Sequence, residues 1–188
     1  VLGTGEQAGV HVAAMRAVRP ITRILVWGRD PLTAAAFAQR YGAEVAPSVA
    51  AAMRAADIVV TATPARSPFL LADMLRPGQH INAVGASIPS MQELEAGCLA
   101  RATLFTDYIP SMEAQAAEVI AARRDGLIGA DHQVSEIGAV LAGAPGRRDA
   151  GEITIYRSLG IAAQDLAAAQ FILARARAQG RGVEVDMA

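Results

Sequence analysis

The sequence predicts an α/β fold built on a doubly wound parallel sheet with helices on both faces. Three observations carry that reading. Short, β-branched apolar runs alternate with alanine-rich helical stretches from one end to the other. A glycine turn, Gly3-Thr4-Gly5, stands between a strand end and a helix at the start of that alternation. Hydrophobic residues make up 53% of the chain and charged residues 19%, which is enough to bury a sizeable core.

Each element follows from a local signal. Val1-Leu2 reads as the end of a first strand. Residues 6–18 read as a helix with Ala8, Val12, Ala14 and Met15 on its buried side, stopped by Pro20. Residues 23–27 form a second strand, turned by Gly28-Arg29-Asp30. Pro31 suits the first position of a helix running to Tyr41, with Gly42 as its C-terminal cap. A short strand at 44–46 precedes a helix capped by Ser48 and ending at Ala55. Residues 57–62 are a fully buried parallel strand, ended by Thr63-Pro64.

After the Arg76-Pro77-Gly78 turn comes a fifth strand at 80–84, then a helix at 92–99 and a sixth strand at 103–106. Helices at 112–123 and 134–141, a Gly/Pro/Arg loop at 143–151, a strand at 153–156 and a long helix at 161–179 complete the chain. The loop at 143–151 is the one candidate boundary, dividing a domain of residues 1–150 from a segment of residues 151–188. No internal repeat is present.

Composition excludes several function classes. Seventeen basic against eighteen acidic residues leave a net charge of −1 and no basic field for nucleic acid. A single cysteine, Cys98, rules out an internal disulfide framework and suits a reducing, cytoplasmic setting. The longest apolar runs stop far short of a membrane span. All seventeen basic residues are arginine, so no Schiff-base or lysine acid/base chemistry is available within these residues. His11, His80 and His132 do not cluster, no metal-ligand spacing appears, and no nucleophile elbow supports a serine triad. The chain opens at Val1-Leu2, directly before a glycine turn, which reads as the remainder of a longer polypeptide. Residues 1–188 alone are then expected to be inactive and poorly folded.

The spacing Gly3-x-Gly5-x-x-Ala8 is that of a dinucleotide turn. The first glycine allows the sharp strand-to-helix turn, the second lets the backbone approach a pyrophosphate, and the small third residue lets helix and sheet pack closely. A purely structural glycine turn is the plain alternative. At the end of the second strand Gly28 offers no carboxylate to ribose hydroxyls, while Arg29 suits a 2′-phosphate, so NADP(H) is favoured over NAD(H). The alternative is a solvent-facing arginine beside Asp30. Thr61-Ala62-Thr63-Pro64 and Ala83-Val84-Gly85-Ala86-Ser87 leave carboxyl ends of strands, where small residues admit a ribose or nicotinamide; ordinary tight loops remain the other reading.

These motifs resemble, in order, those of the ornithine cyclodeaminase/mu-crystallin family. The stretches are residues 3–8, 26–31, 57–64, 75–86 and 152–169, and the likeness extends to about Gly182. It implies a Rossmann-type domain whose cofactor contacts include Gly3, Thr4, Gly5, Glu6, Gln7, Gly28, Arg29, Thr61, Ala62, Thr63, Val84, Gly85, Ala86 and Ser158. It implies a small imino or amino acid substrate, and a homodimer formed through an N-terminal domain that also carries the catalytic lysine and carboxylate-binding arginines. It further implies that residues 151–188 return to that domain. Where cyclodeaminases of the family place an aspartate, this chain has Ser87, which cannot act as a carboxylate base. The resemblance therefore implies a ketimine or imino-acid reductase, or an L-amino-acid dehydrogenase. The alternatives are an ornithine cyclodeaminase and a non-catalytic, crystallin-like NADP-binding protein.

Overall fold

A computed structural model describes residues 1–185. The chain forms α1 (Glu6–Val18), β1 (Leu25–Val26), α2 (Pro31–Tyr41), β2 (Glu44–Val45), α3 (Val49–Ala55), β3 (Ile58–Thr61) and β4 (His80–Ala83). It continues through β5 (Thr103–Thr106), α4 (Ile109–Gln115), α5 (Ala117–Arg124), β6 (Val134–Glu136), α6 (Ile137–Leu141), β7 (Thr154–Arg157) and α7 (Ala162–Ala178). Two helices start where capping chemistry places them. The Asp30 carboxylate accepts from the Leu32 and Thr33 amides to open α2, and the Ser48 hydroxyl accepts from the Ala51 amide to open α3.

Every strand pairing is parallel. β1-β2 and the five-stranded sheet β3-β4-β7-β5-β6 are joined through Leu2, which bridges Trp27 on one side and Thr61 on the other. From Leu2 the chain winds outward one way through β1 and β2, then returns to wind the other way through β3 and β4. The direction reverses beside Leu2, and the glycine turn follows at the carboxyl end of that reversal. The sheet buries Leu2, Val59, Ile81, Leu104 and Ile155 against Met53, Leu99, Met112 and Val119. A smaller cluster of Ala8, Val12, Val26, Phe37 and Ala38 packs α1 and α2 against the other end of the sheet.

The structure departs from the sequence reading in five places. Ala14 is exposed; α1 buries Ala8, Gly9 and Val12 instead. No α-helix spans 92–99: the Glu93 carbonyl accepts from the Phe69 and Leu70 amides and Leu94 bridges Leu70, so only Ala96–Arg101 coils, as a 3-10 helix. The helix expected at 112–123 begins earlier and is two helices, α4 and α5, broken at the buried Ala116, where ψ is 107°. The break lets Met112 of α4 and Val119 and Ala122 of α5 enter one core.

The stretch expected to be helical at 134–141 starts as β6, paired with β5, and only then turns into α6. His132 accordingly precedes a strand. Short apolar runs of this length fit either period, and tertiary pairing decides between them. Finally, β7 is an inner strand, hydrogen-bonded between β4 and β5. A boundary at 150/151 would therefore cut the sheet, and the chain leaves it only after Arg157. Of the segment 151–188, residues 186–188 lie outside the described residues.

At the amino ends of the strands a cavity of about 480 Å³ opens between β1 and β3, in line with Leu2. It is lined by Val12, Ile24, Leu25, Ala52, Ile58 and Val60. Leu2 occupies the same gap one step further along, bridging Trp27 and Thr61. The Val1 amine closes it, donating to the Leu25 carbonyl at 2.6 Å, and burial pushes that amine down from 8.0 to about 6. A free Val1 amine binds fewer protons folded than unfolded between these values, so stability should fall by about 2 kcal/mol as pH drops from 8 to 6. Adding four or five β-branched residues ahead of Val1 is expected to remove that slope. It should also raise stability by several kcal/mol, at roughly 1 kcal/mol per ladder bond plus the buried apolar area. Thermal melts of both chains at pH 6 and pH 8 check this; equal melting points would contradict it.

Candidate functional site

At the carboxyl ends of the strands lies a larger groove, of about 750 Å³. Its floor is the glycine turn, one side is Trp27-Gly28-Arg29-Asp30, and the other runs from Ala62 to Ser67 and on to Phe69. Gly3 has φ of 128°, and a Cβ there would stand 2.4 Å from the Ala62 carbonyl oxygen, so only glycine lets the first turn press against the loop after β3. At Gly5, by contrast, a Cβ would meet nothing within 4 Å: it would project into open space where the backbone is bare. Gly5 is the N-cap of α1 and makes no side-chain cap bond, so the first-turn amides remain available. A bare backbone, uncapped helix amides and an open groove together fit a pyrophosphate.

The adjoining wall has no carboxylate to spare. Thr4 Cγ2 lies over Gly28, where a Cβ would approach it to 2.7 Å, so a side chain at that position would have to push Thr4 aside. Asp30 is consumed as a cap: it accepts from the amides of Leu32 at 3.1 Å and Thr33 at 3.3 Å and from the Thr33 hydroxyl. Those bonds, led by the Thr33 hydroxyl, hold its pKa below the ordinary aspartate value. Arg29 is exposed on the groove and, among the described residues, has no ion-pair or hydrogen-bond partner.

Three buried charges fix the loops around the groove. Glu93 is 1% exposed and accepts from Thr61 Oγ1 at 2.8 Å, the Thr63 amide at 2.7 Å, Thr63 Oγ1 at 2.8 Å and the Gly85 amide at 2.9 Å. It thereby ties the loop after β3 to the loop after β4. Arg157 donates to the carbonyls of Ala83, Ala86 and Ser158 and to Glu118, tying the β4 loop to β7 and α5. Asp107, at the end of β5, accepts from Tyr156, from Ser158 Oγ at 2.8 Å and from the Leu159 and Gly160 amides at 2.8 Å each. Burial works to raise the Asp107 pKa, but these donors outweigh it and keep the carboxyl ionised. Burial and Asp107 together push the Tyr156 phenol up to about 12, which removes it from acid/base work near neutral pH.

The residues singled out from sequence divide accordingly. Gly3, Thr4, Gly5, Gly28, Arg29, Ala62 and Thr63 meet at the groove. Glu6 borders an adjacent cavity of about 420 Å³ with Thr4, Gly5 and Arg40. Gln7 is exposed on α1, and its carbonyl is 2.8 Å from His11 Nδ1. Thr61 is fully buried, facing Glu93 rather than open space. Val84, Gly85 and Ala86 form the locked loop after β4, Ser87 is exposed just beyond it, and the Ser158 amide joins that loop by donating to the Ala83 carbonyl at 3.1 Å.

Glu93, Asp107, Glu118 and Arg157 escaped the sequence reading. An arginine closing an otherwise apolar strand is the one signal that pointed at a buried pair. No metal-binding cluster occurs among the described residues, and none of their helices is long and apolar enough to cross a membrane.

Residues 1–180 match the ornithine cyclodeaminase/mu-crystallin family. The chain is 36% identical over 196 residues to a Delta(1)-pyrroline-2-carboxylate reductase of Bacillus cereus, covering 99% of this chain and 59% of that protein. It is 33% identical over 175 residues to the ketimine reductase mu-crystallin of Macropus fuliginosus, covering 92% of this chain and 53% of the other. Among solved structures, the Thermococcus litoralis Delta(1)-pyrroline-2-carboxylate reductase in complex with NADH and L-proline superposes with a TM-score of 0.92 at 29% identity. That match covers 98% of this chain and 59% of that one. The chain thus spans between 53% and 59% of the length of these relatives.

Proposed function

The chain belongs to the ornithine cyclodeaminase/mu-crystallin family, and we propose that it is the dinucleotide-holding part of an NADP(H)-dependent reductase of C=N bonds next to a carboxylate. The observation that carries this reading is the pairing of the glycine cradle with a groove wall bearing Arg29 and no available carboxylate. The reductases among its relatives support the reaction class. Ser87 supports reduction over cyclodeamination, because a neutral hydroxyl neither takes a proton near pH 7 nor balances an ammonium charge.

The bound nicotinamide would supply or accept the hydride. The chain's own residues bind and orient. Gly3 and Gly5 admit the pyrophosphate against the first turn of α1, with Thr4 and Glu6 beside it. Arg29 meets the phosphorylated ribose. The small residues of Thr61-Ala62-Thr63 and Val84-Gly85-Ala86, locked together by Glu93, leave room for the second ribose and the nicotinamide, with Ser158 alongside. The acid/base lysine, the arginines that hold the substrate carboxylate and the homodimer contact belong, in this reading, to the part of the relatives that residues 1–188 do not span. The segment after Arg157 would dock on that part.

NADPH is expected to bind about ten- to a hundred-fold more tightly than NADH, the worth of one arginine–phosphate pair. Arg29→Ala should remove most of that preference. Fluorescence titration of both cofactors checks this; equal affinities in the unsubstituted chain would refute it. The reaction is tested by grafting residues 1–188 in place of the matched stretch of the Bacillus cereus reductase. NADPH oxidation with a cyclic imino acid, and no ammonia from ornithine, is the expected result. Ornithine converted to proline would overturn the reductase reading.

A further inference from the structure

We infer that Arg66, on the loop after β3, is a second ligand of the cofactor's 2′-phosphate, reaching it from the wall opposite Arg29. This rests on the NADP(H) reading above. Two anchors place the loop. The Ala65 amide donates to Thr63 Oγ1 at 3.3 Å and its carbonyl accepts from the Gln92 amide at 2.8 Å, while the Phe69 amide donates to the Glu93 carbonyl at 3.0 Å. Residues 66–68 therefore project between two fixed points, and all three are exposed.

The aromatic rings of Trp27 and Phe69 then bring the two walls together, with centroids 5.9 Å apart. Arg29 lies two residues beyond Trp27 and Arg66 three residues before Phe69, and both line the same groove. Neither guanidinium has an ion-pair or hydrogen-bond partner among the described residues. The one carboxylate lining the groove, Asp30, is occupied by three donors at the start of α2.

The charge balance makes the assignment specific. A phosphate monoester carries close to two negative charges at neutral pH. One arginine leaves it half neutralised, whereas two arginines match its charge and offer two planar forks to its three oxygens. The ribose of an unphosphorylated dinucleotide has nothing for Arg66 to hold. Arg66 should thus contribute to selection between the two cofactors and leave general dinucleotide affinity alone.

Trp27, the one tryptophan in the sequence, lines the groove and serves as the probe. Its emission is followed during titration with adenosine 2′,5′-bisphosphate, ADP, NADPH and NADH, using the unsubstituted chain, Arg66→Met, Arg66→Lys and Arg29→Ala, with a thermal melt of each. Arg66→Met is expected to weaken both 2′-phosphorylated ligands by about five- to thirty-fold and to leave ADP and NADH unchanged, with Arg66→Lys in between. If the unsubstituted chain melts cooperatively yet does not discriminate the 2′-phosphate, or binds none of the four ligands, the NADP(H) reading fails and this inference with it. If it discriminates and Arg29→Ala abolishes the preference while Arg66→Met retains it, the NADP(H) reading stands and Arg66 is not a ligand. A parallel loss of ADP and NADH binding in Arg66→Met would make Arg66 a structural residue of the loop and overturn the inference equally.

Discussion

Glu118→Ala is expected to cost about 3–5 kcal/mol of folding stability, the toll of stranding one member of a buried ion pair. Against a total margin of roughly 5–15 kcal/mol that is enough to leave the chain partly unfolded near physiological temperature. Arg157 and Glu118 are each 1% exposed, and their contact lies between the sheet and α5. The guanidinium also holds the carbonyls of Ser158 at 2.8 Å and Ala83 at 3.3 Å, together with that of Ala86. Without Glu118 these dipoles alone would face a full positive charge that no water can reach. Replacing both partners with methionine removes the charge along with its counter-charge, so the double variant should lose much less than the sum of the single ones. Urea melts of the two single variants and the double variant decide. A Glu118→Ala chain whose urea midpoint matches that of the unsubstituted one would show that water or a rearranged side chain already satisfies Arg157.

Glu93→Ala should be comparably damaging, by about 2–5 kcal/mol, and should in addition loosen dinucleotide binding by tenfold or more. Its carboxylate gathers four donors from Thr61, Thr63 and Gly85. Among the described residues the Thr63 amide has no other acceptor, whereas the Gly85 amide also reaches the Thr61 carbonyl at 3.2 Å. Glu93→Gln preserves the shape but must turn its NH₂ toward either the Thr63 or the Gly85 amide. The threonine hydroxyls can rotate to accept, so the cost reduces to one unsatisfied backbone donor, about 1–3 kcal/mol. Glutamine should thus retain most of the fold and lose part of the ligand affinity. Titration of NADPH beside denaturant melts separates the two effects, and unchanged affinity in both variants would show that the loops hold their places without Glu93.

These two buried charges also mark where sequence reading stopped. Glu93 sits in a stretch whose composition suits a helix, and Glu118 falls at an ordinary polar position of one. Nothing in local spacing distinguishes a solvated carboxylate from one that four distant donors will surround. Arg66 is equally silent in the sequence: the distant anchors at Gln92 and Glu93 and the Trp27–Phe69 contact set its loop across from Arg29.

The sequence by itself determined the alternation of strands and helices, the place of the glycine turn, the bounds of α1, α2 and α3, and the residues that meet at the groove floor. Those features depend on signals a few residues long: caps, proline and glycine positions, and periodicity over a single turn or pleat. Tertiary structure alone decided that residues 134–136 pair as a strand, that Ala116 breaks a helix in two and that β7 inserts between β4 and β5. Each of those outcomes is settled by which partner, dozens of residues away, offers hydrogen bonds or apolar surface. A short run of Val, Ser and Glu satisfies its backbone equally well in a coil of helix or beside Leu104-Phe105-Thr106, and the free energy of burying it against β5 makes the choice.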